Sequence, residues 1–460
     1  MGKLFGTDGI RGVAGEYPIT PEMAVKVGKA LGYEVKDRFG DPSDTPRILV
    51  AKDTRVSGDM LGLALAAGVC CAGVDAHWAD VLPTPGLAFL TRTMGFHAGV
   101  MISASHNPFQ DNGIKVFKSD GFKLSDEMEN DLERRILSTR EDEDEPGKAR
   151  TVGRIHYRDG IADQYIEFLI REVRDAELLA GLKVALDCAN GATFQVAPVV
   201  FKRLGARVEA ICVEPDGINI NTHCGSEYRE RLADLVVRGG YDVGFAFDGD
   251  GDRVIAVDER GQTVTGDRML AICARDMKQT GELAGNRLVS TVMSNIGLGL
   301  ALKRLKIEHV TTRVGDRYVL QEMLAKEAHL GGEDSGHMIF LKHHTTGDGI
   351  LAALKIAQIM RSADAPLSVL SEVMDVFPQR LRNVMVKEKK PIEDIPEIMS
   401  KVKEVERRLG DKGRVLIRYS GTQPMCRIMV EAPTEAEVNR SCQEIAEVVS
   451  AQLRGESLHS

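Results

Sequence analysis

The sequence predicts an α/β protein, with three related α/β domains in succession and a smaller α+β domain at the end. Three observations carry this. Short β-rich apolar runs alternate with apolar helical stripes along most of the chain, the rhythm of strand–helix layering. Three of those runs, VAKDTR (50–55), VALDCANG (184–191) and VSTVMSNIG (289–297), share one order of apolar run, small polar loop and apolar helix, which hints at related units. After Asp364-Ala365-Pro366 the pattern changes to strands at Val415–Ile417 and Arg427–Val430 and a final long helix. A length of 460 residues also favours three or four domains.

Taken in order, FGTDGIRG (Phe5–Gly12) is punctuated by glycine and places Arg11 on a tight loop. Thr20-Pro21-Glu22 starts a helix, with Thr20 as N-cap and proline at the first helical position. Met23, Val27, Leu31 and Val35 give that helix one apolar stripe. Ile48–Val50 is a strand that ends in AKDTRVSG (Ala51–Gly58), and parallel layering is expected here. The 15 residues Met60–Val74 are too few for a membrane span and are expected as a buried helix.

The rest of the chain is organised around residues 99–117, GVMISASHNPFQDNGIKVF. Val100–Ile102 and Ile114–Phe117 read as strands, joined by a polar loop holding Ser105, His106 and Asn107, with Lys115 on the returning strand. A serine there is either a nucleophile on a rigid turn or a turn residue bonded to local backbone. Glu141–Glu145 (EDEDE) with Pro146-Gly147 reads as a solvated connection. The expected domains are 1–155, 156–256, 257–368 and 369–460. In the last, Thr434 and Glu437 form a capping box for a helix whose core face is Val438, Cys442, Ile445, Val449 and Leu453.

The composition, 43% hydrophobic and 28% charged, is that of a soluble globular protein, and the net charge of −9 argues against nucleic acid and anionic membranes as partners. Eight scattered cysteines without a C-x-x-C pair read as reduced core residues, and no apolar signal segment opens the chain, so a cytoplasmic location is expected.

The strongest chemical signal is Asp248-Gly249-Asp250-Gly251-Asp252-Arg253. Three carboxylates in five residues repel one another unless a cation neutralises them. An EF-hand is a poor match, because Arg253 stands where its turn needs glycine and the flanks Val243–Phe247 and Val254–Val257 are strand-like. Mg²⁺, which takes one or two carboxylates plus phosphate oxygens, suits the loop, and a phosphoserine would supply those oxygens. Glu333 and Ser335 in GGEDSGH (Gly331–His337) suit bidentate bonding to vicinal sugar hydroxyls, and His337 suits proton transfer near neutral pH. Arg418, Ser420 and Thr422, with backbone N–H groups around Gly421, make a phosphate cradle. There is no Walker A and no G-x-G-x-x-G pattern, which removes support for nucleotide hydrolysis and dinucleotide binding.

These pieces together, FGTDGIRG, DTRVSG, ISASHNPFQDNGIK, DCANGA, AFDGDGDR, VGDRYV, GGEDSGH, TTGDGI and RYSGTQP, resemble the α-D-phosphohexomutases, most nearly the bacterial phosphoglucosamine mutases. The pieces stand in family order and span almost the whole chain. The resemblance implies four domains around a central cleft, a cytoplasmic isomerase and a possible homodimer. It implies Ser105 as the phosphoserine, with Asp248, Asp250, Asp252 and the Ser105 phosphate holding Mg²⁺. Arg11, Lys115 and His337 take acid/base and charge-stabilising roles. Glu333 and Ser335 meet sugar hydroxyls; Arg418, Ser420, Gly421 and Thr422 meet the distal phosphate; His106 and Arg427 are further substrate contacts. The implied reaction interconverts glucosamine 6-phosphate and glucosamine 1-phosphate through a 1,6-bisphosphate, with glucose 1,6-bisphosphate or glucosamine 1,6-bisphosphate as activator. Rival readings are a phosphomannomutase/phosphoglucomutase, a phosphatase and a non-catalytic sugar-phosphate binder. Asp334 and Gln423 depart from the usual family pattern, and an acid at 334 would suit a C2 ammonium if it pointed inward.

Overall fold

The computed structural model describes residues 4–6, 8–39, 45–138, 152–173, 177–420, 424–453 and 456–458. The acidic run Glu141–Glu145 and the loop residues Gly421, Thr422 and Gln423 lie outside them. The chain forms two compact units, Met1–Val292 with Glu308–Glu372, and Met293–Ile307 with Val373–Ser460.

The larger unit is built from one arrangement used three times. In the first repeat the strands Asp111–Lys118, Ala98–Ile102, Arg47–Lys52 and Asp75–Val81 lie side by side in that order. The last three run parallel, and the first returns antiparallel. Val254–Asp258, Val243–Phe247, Lys183–Asp187 and Arg207–Ile211 repeat the order and directions. So do Met338–Phe340, Leu330–Gly332, Arg287–Thr291 and Glu308–Thr312. The expected parallel layering is therefore mixed, because each repeat ends in a short loop to an antiparallel strand, which needs no crossover helix.

In the first repeat the pleat sorts side chains to two cores. Ile48, Val50, Val100 and Ile102 join one apolar cluster with the helices Pro21–Phe39 and Ser57–Cys71. Leu49, Ala51 and Met101 join another with Leu87 and Leu90 of the helix Thr84–Thr93. Period-2 alternation with both faces apolar is what a sheet covered by helices on each side requires. Thr20 Oγ1 accepts the Met23 N–H at 3.3 Å, and Met23, Val27, Leu31 and Val35 are buried as the stripe predicts. The run Met60–Val74 is not wholly buried. Its helix is Ser57–Cys71, and Met60, Leu63 and Cys71 are exposed.

The smaller unit has a four-stranded antiparallel sheet in the order Arg414–Tyr419, Met425–Glu431, Gln379–Met385, Glu456–Leu458. The helices Pro396–Leu409 and Glu435–Gln452 complete its core, where Val438, Cys442, Ile445, Val449 and Leu453 are all buried. Thr434 Oγ1 accepts the Glu437 N–H at 3.3 Å, as the capping box predicts. The helix Ile296–Arg304, which the SNIG loop opens, also belongs to this unit; the strand before it, Arg287–Thr291, belongs to the larger one.

Candidate active site

Each repeat presents the turn from its third parallel strand into the antiparallel strand. In the first, that turn carries Ser105; in the second, Asp248, Asp250 and Asp252; in the third, Glu333, Ser335 and His337. Three loops without common residues are thus structurally equivalent. The first two meet: Ser105 Oγ donates to Asp248 Oδ2 at 2.5 Å.

Ser105 is 1% exposed and has a left-handed backbone, φ 54°, which costs a non-glycine residue about 1–2 kcal/mol. Its surroundings hold it there. The Ser105 N–H donates to Ser103 Oγ at 2.9 Å, and its carbonyl accepts from Arg55 Nη2 and Asn221 Nδ2, each at 2.9 Å. Arg55 also donates to the carbonyls of Asn107, Pro108 and Asp111, and its Nε is paired with Asp53 Oδ2 at 2.8 Å. The DTR loop is therefore a clamp on the serine loop.

The carboxylate ligand atoms of Asp248, Asp250 and Asp252 lie within 4.8 Å of one another, and all three residues are buried. A β-carbon on Gly249 would stand 2.6 Å from the Ser105 carbonyl, and Gly251 has φ +74°. The two glycines let this loop approach the serine and turn. Lys115 Nζ donates to Asp250 Oδ2 at 2.7 Å and lies 3.2 Å from Asp8 and 3.7 Å from Asp252. Thr84 Oγ1 donates to the same Asp250 oxygen at 2.6 Å. Asp250 Oδ1 and Asp252 Oδ1 are buried without a hydrogen-bond partner. Burial, then Asp252 and Asp250, hold the Asp248 carboxyl well above its ordinary pKa. Burial acts the same way on Asp252, but Lys115 and then His337 outweigh it and hold that carboxyl low. Orphaned, crowded carboxylate oxygens fit a hard divalent cation.

A cavity of about 390 Å³ opens beside this cluster, lined by Asp8, Arg11, Arg253, Asp316, Glu333 and His337 among others. Arg11 pairs with Asp8, and Lys123 bridges Asp8 to Asp316 at 2.5 Å from the latter. His337 Nδ1 lies 3.6 Å from Asp252 Oδ2, and Nε2 accepts the Gly347 N–H at 3.2 Å. Burial lowers the His337 pKa, but Asp252 and Asp316 outweigh it and the balance lies above the ordinary value. Burial and then Arg253 lower that of His106, whose Nδ1 is buried without a partner. Glu333 Oε1 accepts the Gly315 N–H at 3.1 Å, while Ser335 Oγ is buried without a partner. Asp334 is exposed, and its Oδ1 accepts the Asp267 N–H at 3.3 Å. It does not line the cavity, because the helix that begins at Gly266 gives its carboxylate an N-terminus to cap.

The smaller unit holds the remaining candidates. Arg418 and Arg427 stand directly opposite each other on adjacent antiparallel strands, so both side chains share one face. Ser420 is 4% exposed, and its carbonyl accepts from Lys389 Nζ at 2.7 Å. Like charges in cross-strand register are destabilising unless an anion joins them.

Sequence reasoning does not single out Asp8, Asp53, Arg55, Thr84, Lys123, Asn221 or Asp316 one by one. Asp8, Asp53, Arg55 and Asp316 sit inside the motifs FGTDGIRG, DTRVSG and VGDRYV, which point to them; Thr84, Lys123 and Asn221 carry no signal.

The sequence matches the phosphoglucomutase/phosphomannomutase alpha/beta/alpha domains I, II and III over residues 2–143, 163–261 and 265–377, and the C-terminal domain over 381–448. A phosphoglucosamine mutase of Syntrophus aciditrophicus (strain SB) is 53% identical over 98% of this chain and 100% of the relative. That of Geobacter sp. (strain M21) is 51% identical over 99% and 100%. A phosphoglucomutase/phosphomannomutase family protein of Burkholderia thailandensis superposes with a TM-score of 0.80 at 25% identity, covering 98% of this chain and 97% of that one. An Aspergillus fumigatus N-acetylphosphoglucosamine mutase in complex with GlcNAc-6P and magnesium shares the fold, with a TM-score of 0.65 at 18% identity over 98% and 96%. Among the described residues no helix is long and apolar enough to cross a membrane. The chain belongs to the phosphoglucomutase/phosphomannomutase family of phosphohexomutases and, within it, to the phosphoglucosamine mutases.

Proposed function

We propose that the protein interconverts glucosamine 6-phosphate and glucosamine 1-phosphate through a phosphorylated Ser105. The observation that carries this reading is the contact of Ser105 Oγ with Asp248 Oδ2, at the edge of a carboxylate cluster with orphaned oxygens. Asp248, Asp250 and Asp252, with a phosphate oxygen on Ser105, would hold Mg²⁺. When bound, that ion neutralises charge on the transferred phosphoryl group.

Phospho-Ser105 gives its phosphoryl group to the sugar O1. The P–Oγ bond breaks as the P–O1 bond forms, and the product is the 1,6-bisphosphate. After that intermediate turns over, Ser105 takes the O6 phosphoryl group and leaves glucosamine 1-phosphate. Lys115 and Arg11 act as fixed positive charges, Lys115 set among Asp8, Asp250 and Asp252 and Arg11 paired with Asp8. His337, the imidazole on the cavity wall, moves the hydroxyl proton. Glu333 and Ser335 take sugar hydroxyls, and His106 is a further substrate contact. Arg418, Ser420 and Arg427, with Gly421 and Thr422, bind a substrate phosphate. Glucose 1,6-bisphosphate or glucosamine 1,6-bisphosphate serves as activator by phosphorylating Ser105.

The test is product identification by ³¹P NMR, with Mg²⁺, glucose 1,6-bisphosphate and the 6-phosphates of glucosamine, glucose and mannose. Glucosamine 6-phosphate should give the highest kcat/KM; a higher value for mannose 6-phosphate would reassign the substrate.

A further inference from the structure

The loop after the leading strand of each repeat can be compared across the molecule. In the first repeat it begins with the buried carboxylate of Asp53. Its Oδ1 accepts the N–H of Arg55 two residues on, and its Oδ2 pairs with the Arg55 guanidinium. The second repeat has Asp187 in the same place, 0% exposed, with Oδ1 accepting the N–H of Ala189 two residues on and Oδ2 that of Gly225. Ala189 stands where Arg55 does, so the second repeat lacks the buried counter-charge that its own architecture uses in the first.

Two thiols lie beside Asp187. Cys212 Sγ, Cys224 Sγ and a carboxylate oxygen of Asp187 lie within 4.8 Å of one another. They come from three separate segments: the end of the strand Lys183–Asp187, the residue after Arg207–Ile211, and the loop that leads to the helix Glu230–Gly239. Cys224 is 2% exposed and Cys212 is half-buried, the more accessible of the two. Tetrahedral Zn²⁺ sets sulfur and oxygen ligands about 3.6–3.8 Å apart, inside this spread. Arg231 Nη1 donates to Cys212 Sγ at 3.6 Å, and its charge opposes the one excess negative charge that two thiolates, a carboxylate and a divalent ion leave.

We propose that Asp187, Cys212 and Cys224 form a second metal site, for Zn²⁺ or a similarly thiophilic divalent cation. Binding replaces two S–H bonds by two metal–sulfur bonds and releases both protons to solvent. The hydrogen bond with Cys212, and then burial, push the Cys224 thiol well above its ordinary pKa. The site fastens together two segments that Asn221 already bridges. Asn221 donates its backbone N–H to the Ala189 carbonyl at 2.9 Å and its side-chain amide to the carbonyls of Ser105 and Asn107 at 2.9 and 3.0 Å. The ion thereby braces the loop that carries Ser105 from behind.

The probe is Co²⁺, titrated into the full-length protein in excess Mg²⁺, with the near-ultraviolet thiolate-to-cobalt absorption as readout. A single Co²⁺ per chain should give that band, and Zn²⁺ should displace it. Cys212→Ser and Cys224→Ser should lose the band, whereas Asp250→Asn should keep it, since that loop offers oxygen ligands alone. No band in the wild type, or an equal band in the cysteine variants, would overturn the site. Because the variants can fail to fold, the wild type supplies a second reading. Zn²⁺ should slow alkylation of Cys212 about tenfold or more while the exposed Cys71 reacts at its former rate. Unchanged alkylation of Cys212 would contradict the proposal. So would paired loss of both thiols to glutathione disulfide with Zn²⁺ present, which would make the cluster a redox pair instead.

Discussion

Ser105 Oγ and Asp248 Oδ2 are joined by a 2.5 Å hydrogen bond that links the strand-to-strand turn of the first repeat to the equivalent turn of the second. Ser105 and the carboxylate cluster thus occupy one architectural position in two copies of the same unit. Asp250 extends this junction, since Lys115 and Thr84 share its Oδ2 while its Oδ1 has no hydrogen-bond partner. Asp250→Asn should therefore lower kcat about a hundredfold or more and raise the Mg²⁺ concentration needed for half-maximal rate. A Mg²⁺ titration of initial rates measures both. Chelation should abolish turnover, and added Mg²⁺ should restore it.

The Asp53–Arg55 pair lies wholly inside the protein, with both side chains 0% exposed. Removing one partner leaves a buried charge unmatched, which costs about 3–5 kcal/mol. Arg55→Met alone should show that loss in urea unfolding, and Asp53→Asn with Arg55→Met should recover part of it. Even the double variant should turn over slowly, because the carbonyls of Ser105, Asn107, Pro108 and Asp111 lose the donor that shapes the serine loop. Full activity in Arg55→Met would mean that the serine loop keeps its working shape without the clamp.

The Ser105 loop and the aspartate loop are legible in the sequence for a physical reason. A polar loop between apolar strands, and three carboxylates in five residues, are local patterns that need chemistry to explain them. The network of Asp8, Lys123 and Asp316 is not, because its charges belong to loops that meet only in the folded chain. Nor is the threefold equivalence of the reactive turns. The sequence echo lies in the loops after the leading strands, whereas SASHNP, DGDGDR and EDSGH each hold a different group and share no pattern. Asp334 shows a direction that the sequence leaves open. Its charge would suit an amino sugar if it pointed inward, but its carboxylate accepts the Asp267 N–H at a helix N-terminus, and Glu333 lines the cavity.

Arg418 and Arg427, opposed across two strands, place two guanidinium groups on one face, where the proposed function puts a substrate phosphate. Arg418→Ala removes a charge-assisted contact of about 1.5–3 kcal/mol, so kcat/KM should fall about ten- to a hundredfold. Thermal stability of the free protein should hold or rise slightly, since a like-charge pair is relieved. Steady-state rates and a melting curve on one preparation separate the two effects. A large loss of stability would make Arg418 a structural residue instead.

His344 is buried between the first and third repeats. Its Nδ1 accepts the N–H groups of Thr345 and Thr346 at 2.9 and 3.3 Å, and its Nε2–H donates to the Pro85 carbonyl at 3.0 Å. Burial, and then Arg92, lower its pKa from 6.5 to about 3. The fold thus keeps the ring neutral, while the unfolded chain takes up a proton below about pH 6.5. The stability His344 contributes is full above that pH and falls as pH drops toward 3, by about 1.4 kcal/mol per unit. The urea-measured penalty of His344→Gln should therefore be about 2 kcal/mol smaller at pH 5 than at pH 7. Equal penalties would mean that the ring is free to charge inside the fold.

Whether Ser105 carries the phosphoryl group is measured most directly on dephosphorylated protein incubated with Mg²⁺ and glucose 1,6-bisphosphate. Intact-mass and peptide analysis locate the label, alongside the turnover of glucosamine 6-phosphate. One added phosphoryl group, mapped to Ser105, with no labelling and no mutase turnover in Ser105→Ala, is the predicted result. Wild-type turnover in Ser105→Ala, or a label on any other residue, would contradict it.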